Sequence, residues 1–289
     1  MLPATRFTTV VYNMRWLNFI LSHSIFISLC GAALCYQTFY LLHVNPVVEV
    51  YGLVFFATLG SYNFYWLIAK YFSRNDPSHS RFYVKNFSNI IILGIAGFST
   101  LYCLYYLPEV LPSIIIASGL TILYSVPLWP VKQLAFTRKT GFLKTFLLAF
   151  TWAYVTVMIP AQLATDAGSR SVILLFIARF LFMLMLCIIF DTRDITVDRI
   201  KSLRSLATDV SHRTLQVIVA IVFIIYVSSG FLLRYHFRDT PQLIAFFVTA
   251  SVTLVVYRLS QKKQGYFFYY FVVDGLMLFS SLATFVASI

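Results

Sequence analysis

The stretch Phe190-Asp191-Thr192-Arg193-Asp194-Ile195-Thr196-Val197-Asp198-Arg199 follows without a break on the apolar run 171–190. Three carboxylates stand at i, i+3 and i+7. If the run is helical and continues, they share one face, about 4.5 and 6 Å apart along the axis at 1.5 Å rise per residue. They are also scarce, because the chain holds ten acidic residues and three of them fall within these eight positions. Oxygen ligands grouped at the mouth of a membrane helix suit Mg²⁺, which keeps coordination sites open for phosphate oxygens. Arg199, Lys201, Arg204 and Arg213 follow. Acids able to hold a metal thus lie beside bases able to meet an anion, the chemistry of a diphosphate site. The same residues also fit a plainer account, the polar end of a membrane helix running into a solvated loop.

Composition excludes a soluble globular protein. Sixty per cent of residues are hydrophobic, 11% are charged, and the mean hydropathy is +0.82. At about 20 residues per span, 289 residues hold eight or nine membrane helices and no separate soluble domain. Residues 1–15 are polar and basic. The apolar run after them is too long for a signal-peptide core and lacks a cleavage site, so it reads as a first retained span. Cys30, Cys35, Cys103 and Cys187 all fall in apolar runs, which predicts buried free thiols and no disulfide framework. The net charge of +12, in so apolar a chain, reads as loops facing anionic headgroups rather than nucleic acid. No nucleophile–base pair, P-loop or dinucleotide fingerprint occurs.

Hydropathy divides the chain into nine spans, at about 17–42, 47–72, 87–107, 108–130, 145–161, 171–190, 215–233, 241–259 and 265–289. Of the 22 Lys and Arg residues, Arg170, Arg234 and Arg238 fall in outer connections and Arg179 lies within a span; the other 18 fall on one side. The positive-inside bias then predicts an integral, multi-pass protein of an inner or cytoplasmic-type membrane, N-terminus inside and C-terminus outside. Its polar loops gather on the inner face, which suggests a site there reached from the lipid. Arg179 and Asp274 are ionisable residues inside spans, and such groups usually pair or line a cavity. A mutual ion pair is expected. The 29 Phe and 19 Tyr read mainly as packing and interfacial belts.

The pattern Asp191-x-x-Asp194-x-x-x-Asp198-Arg199, then Arg204-Ser205-Leu206-Ala207, resembles the second aspartate motif of the UbiA family of intramembrane prenyltransferases. Leu123-Tyr124-Ser125-Val126-Pro127 through Lys132 resembles a second family segment at the end of the fourth span, with Lys144 and Trp152 in the places of a further Lys and Trp. The family's first aspartate motif would close span two. Aligned on Asn63, its acidic places hold Phe64, Leu67 and Tyr71, none of which binds Mg²⁺, and the nearest acid is Asp76 in the loop with His79 and Arg81.

The resemblance implies an all-α polytopic bundle of about nine transmembrane helices, a single UbiA-like domain over 1–289. It implies Mg²⁺-dependent transfer of a prenyl group from a prenyl diphosphate to an aromatic or lipid-like acceptor. Asp191, Asp194 and Asp198 would be the catalytic, metal-holding residues. Arg199, Lys201, Arg204, Lys132, Tyr124, Asn63, Lys70 and Arg81 would bind substrate. The missing first motif favours an alternative, a UbiA-fold membrane protein that binds lipid or a partner without catalysis. A transporter fits less well, since there are no clear repeated halves or paired broken helices.

Overall fold

In the computed structural model the chain is helical throughout its described residues, which are 15–72, 79–125, 141–163, 169–200, 205–237 and 240–289. Side chains are described in these segments except at 72, 79–81, 141, 169, 196–200 and 234–237. The helices are α1 (Arg15–Ser22), α2 (Ile25–Leu41), α3 (Val48–Phe72), α4 (His79–Lys85), α5 (Phe87–Tyr106), α6 (Leu111–Ser125) and α7 (Gly141–Ala153). They continue with α8 (Ile159–Gln162), α9 (Ser169–Ile200), α10 (Leu206–Asp209), α11 (His212–Phe237), α12 (Thr240–Ser260) and α13 (Asp274–Val286). Two π-helical turns interrupt the spans, Tyr154–Met158 between α7 and α8, and Phe268–Val273 before α13. Among the described residues eight helices are long and apolar enough to cross a membrane, and nine if the bent pair α1–α2 is one span. The protein is an integral, multi-pass membrane protein.

The first span is broken. The axes of α1 and α2 meet at 67°, and the bend falls at His23–Ser24, where Ser24 takes the left-handed conformation with φ 61°. A non-glycine residue there is uncommon and carries strain unless its surroundings hold it. Asn63 of α3 supplies the hold by donating a hydrogen bond to the His23 carbonyl at 2.9 Å. Pro108 opens a single 3₁₀ turn that reverses the chain from α5 into α6, since proline at a helix start forfeits no intrahelical bond.

Around the bundle, α2 packs on α3 and α13, and α13 on α12, then α12 on α11, α11 on α9, and α9 on α7. The pairs α7–α6 and α3–α5 complete the architecture. α9 runs through its middle. Residues 181–189 are buried without exception, which is why the sequence there shows no polar face. Phe182, Ile188 and Ile189 meet Cys30, Leu34, Trp152, Tyr226 and Met277 in the main apolar core. Large apolar side chains on the outer faces, such as Phe98, Leu101 and Ile115, are those a helix turns toward lipid. All four cysteines are free and buried.

Small and polar residues fix the helix pairs, as expected where water no longer drives association. A Cβ on Gly31 would lie 3.2 Å from the Trp152 ring, so its absence lets that ring seat against α2. Gln37 of α2 donates to Ser280 Oγ at 3.0 Å and Thr284 Oγ1 at 2.8 Å on α13, and Gln242 of α12 donates to the Thr284 carbonyl.

Candidate functional site

α9 does not stop at Phe190, where its apolar run ends. It continues helical to Ile200, so Asp191, Asp194 and Asp198 stand on consecutive turns of one helix at the spacing that puts them on one face. Asp191 is buried and accepts a hydrogen bond from Thr145 Oγ1 of α7 at 2.5 Å. The backbone N–H of Leu206 reaches the same hydroxyl at 3.5 Å. The chain after α9 therefore folds back through α10, which touches both α7 and α9 and buries Leu206 and Ala207. Its first turn is held by the Ser205 N–H donating to Thr208 Oγ1 at 2.8 Å.

Asp194 is half-buried and engaged. Arg193 donates to it through Nε at 2.7 Å and Nη2 at 2.8 Å, the two-pronged geometry that makes Arg–carboxylate pairs strong. The guanidinium carbon also lies 5.1 Å from the Phe190 ring centre, 5.1 Å from Tyr269 and 5.0 Å from Tyr270. A cation facing three aromatic rings at this range is attracted by each ring quadrupole. Nothing in the spacing of Arg193 singled it out, because two of its three rings, Tyr269 and Tyr270, come from the last span, some 75 residues away.

Between α3, α6 and α7 lies a cavity of about 280 Å³, at the lower end of small-molecule sites. Its wall is mainly apolar, with Tyr62, Tyr65, Tyr124, Ser125 and Trp152 among the lining residues. The cavity adjoins the acidic end of α9. Leu148 of its wall is one helical turn from Thr145, and the Cys187 side chain is within electrostatic range of Asp191 as well as of Tyr62 and Tyr124. The π turn after α7 contributes Val155 to the lining, in keeping with the tendency of such turns to lie at functional sites.

The other residues singled out by the sequence fall in different places. Tyr124 lines the cavity. Asn63 is 0% exposed, and its amide is spent within the protein. It donates to the carbonyls of His23 and Leu59, both at 2.9 Å, and accepts from Asn89 Nδ2 at 3.2 Å. Lys70 donates to Asn86 Oδ1 at 3.3 Å. Where a first acidic motif would stand there is thus a network of amides binding α3 to α5 and to the bend before α2. Asp198 and Arg199 lie on the last turns of α9, and Arg81 lies in α4; their side chains are outside the description. Lys132, Lys201, Arg204 and Asp76 lie outside the described residues. The expected Arg179–Asp274 ion pair does not form. Among the described residues the one ion pair is Arg193–Asp194. Arg179 reaches instead toward the Leu34 carbonyl at 3.5 Å, and Asp274, the first residue of α13, is buried.

The donor chemistry suits Mg²⁺. Asp191 and Asp194 lie one turn apart on α9 and carry the hard oxygen donors that this ion takes, with both Asp194 oxygens engaged by Arg193. Among the described residues no three His, Cys, Asp or Glu side chains converge on one point, so any completion of the set involves Asp198 or a ligand's own oxygens.

Comparison with solved structures defines the fold. The chain is similar to the apo structure of a UbiA homolog from Aeropyrum pernix K1, with TM-score 0.63 and 12% identity over 91% of this chain and 97% of that one. It is also similar to a structure described for digeranylgeranylglyceryl phosphate synthase in membranes, with TM-score 0.54 and 14% identity over 94% and 96% of the two chains. No protein-family model matches the sequence, and no curated protein matches it. The fold is that of UbiA-type prenyltransferases. This chain carries Phe64, Leu67 and Tyr71 where a first acidic cluster would be read from the sequence.

Proposed function

We propose that this protein transfers a prenyl group from a prenyl diphosphate to an aromatic or lipid-like acceptor inside the membrane. The observation that carries the reading is the pairing of two unlike environments, the carboxylates of α9 at its polar end and the apolar cavity between α3, α6 and α7, whose wall includes Leu148, one turn from the Thr145 that binds Asp191. A prenyl diphosphate has the same two-part chemistry. Asp191 and Asp194, with Asp198 on the next turn, would hold one Mg²⁺, which when bound would neutralise charge building up on the diphosphate. Thr145 fixes the carboxylate of Asp191 in orientation, as a supporting hydrogen bond does for a ligand. Arg193 is preorganised by its three rings and supplies a cation at the mouth. Arg199, Lys201, Arg204, Lys132 and Arg81 would meet the phosphates. Tyr62, Tyr124 and Trp152 wall the apolar end, excluding water from an allylic cation and offering it ring faces.

The test is Mg²⁺-dependent binding of geranylgeranyl diphosphate to the purified protein, comparing wild type with Asp191→Asn/Asp194→Asn. Saturable binding that needs Mg²⁺ and is lost in the double variant is expected. Absence of binding by a folded wild-type protein overturns the reading. The positions Phe64, Leu67 and Tyr71 favour a second reading, a non-catalytic relative that binds lipid or a partner. Binding of the diphosphate without turnover over any acceptor would support it.

A further inference from the structure

Arg193 occupies both oxygens of Asp194, the two that a metal would use. Its Nε donates to Oδ1 at 2.7 Å and its Nη2 to Oδ2 at 2.8 Å. Helix spacing does not make this contact, because adjacent residues on an α-helix do not face each other. The rings hold the guanidinium there. Phe190 stands one turn before Arg193 on α9, and Tyr269 and Tyr270 come from the π turn Phe268–Val273. The rings also brace one another. Phe190 lies 6.0 Å from Tyr269 and 6.1 Å from Tyr270 between centres, and Tyr270 stacks on Tyr266 at 4.3 Å. Two consecutive side chains of a π turn are thus aimed at one cation, and such turns gather at functional sites. The pair is open to a ligand, since the Arg193 side chain is 26% exposed and that of Asp194 38%.

An ion pair this exposed contributes little to stability. Its consequence is for the site. When ionised, Asp191 and Asp194 are like charges one turn apart on α9, which is unfavourable unless a cation relieves it. In the free protein Arg193 is that cation. Two charge-assisted hydrogen bonds must break before Asp194 can meet Mg²⁺. A diphosphate can take them over, because it offers a guanidinium the same two-pronged acceptor geometry with more negative charge. The three rings keep the guanidinium at the mouth while it changes partner. We propose that Arg193 is a cap on the metal site, holding both Asp194 oxygens until a diphosphate takes the guanidinium, so that metal and diphosphate bind together and neither binds well alone. The inference rests on the transferase reading above and adds to it an order of events.

The experiment follows Mn²⁺, which takes the same oxygen ligands as Mg²⁺ and is read by electron paramagnetic resonance, on the full chain in phosphatidylcholine nanodiscs. Wild type, Arg193→Gln, Arg193→Lys and Arg193→Gln/Asp194→Asn are titrated with Mn²⁺ alone. Binding of radiolabelled geranylgeranyl diphosphate is then measured over the same Mn²⁺ range. Arg193→Gln should bind Mn²⁺ alone about tenfold tighter than wild type. Arg193→Lys should fall between them, because an ammonium is a point charge that does not match both oxygens. The double variant should lose the gain. The diphosphate should tighten Mn²⁺ binding by a larger factor in wild type than in Arg193→Gln. Equal affinity for Mn²⁺ alone in wild type and Arg193→Gln overturns the proposal, as does a gain that persists in the double variant. Should Arg193→Gln fail to fold, Arg193→Lys carries the comparison, and an affinity equal to wild type overturns the proposal there too. A diphosphate that tightens Mn²⁺ binding equally with and without Arg193 also overturns it. Tighter Mn²⁺ binding in Arg193→Gln, in a protein that ignores the diphosphate, supports the cap and sinks the transferase reading alone.

Discussion

At the scale of single residues, the contrast between Asn63 and Arg193 is instructive. Asn63 stands where an acidic motif would begin, yet both of its amide atoms are occupied by the protein, and one of those bonds holds the left-handed Ser24. Asn63→Leu should therefore lower stability by about 1–3 kcal/mol, the cost of stranding buried polar groups, as read by thermal unfolding in detergent. A variant of unchanged stability would show that the bend does not depend on this side chain. Arg193, unremarkable in sequence, is bound by a carboxylate and three rings. Asp191 and Asp194 were legible because their spacing on one helix is a local property. Thr145 and Arg193 were not, since Thr145 meets Asp191 from α7 and two of the rings around Arg193 come from the last span.

Among the elements, the spans were legible from apolar length, and the described helices long enough to cross a membrane fall where hydropathy puts them. Three features escaped. The bend at Ser24 has no glycine or proline to announce it. The π turns leave no mark in the apolar pattern. The helix after Phe190 extends through charged residues that read equally as a loop. The α11–α12 contact offers a sharp test of packing. A Cβ on Gly230 would lie 2.5 Å and 2.6 Å from two atoms of the Phe246 ring, and that ring rests on Tyr226 at 4.5 Å between centres, so it has little room to withdraw. Gly230→Ala should destabilise by about 1–3 kcal/mol through overpacking while diphosphate binding is retained, measured on the same preparation. An unfolding temperature equal to wild type would mean that α11 and α12 separate freely.

At the scale of the molecule, the split of 18 basic residues against three predicts that the loops before α7 and after α9 and α12 face the cytoplasm. The buried native thiols make this simple to check. In intact cells, a membrane-impermeant maleimide should label Thr240→Cys, and should label Lys262→Cys only after permeabilisation; both positions are exposed. The reverse pattern would invert the orientation and place the acidic end of α9 outside. That end has a particular depth. With 32 residues, α9 rises about 48 Å, well beyond the roughly 30 Å hydrocarbon layer. The excess length carries the acidic end of α9 toward the level of the phospholipid headgroups. A tailed anion diffusing in the leaflet already carries its phosphates at that level and need not leave the bilayer to be captured. The encounter is a search in two dimensions. For the prenyl diphosphate proposed above, the rate would be set by its mole fraction among the lipids, so adding inert phospholipid at constant total substrate should slow it by dilution alone.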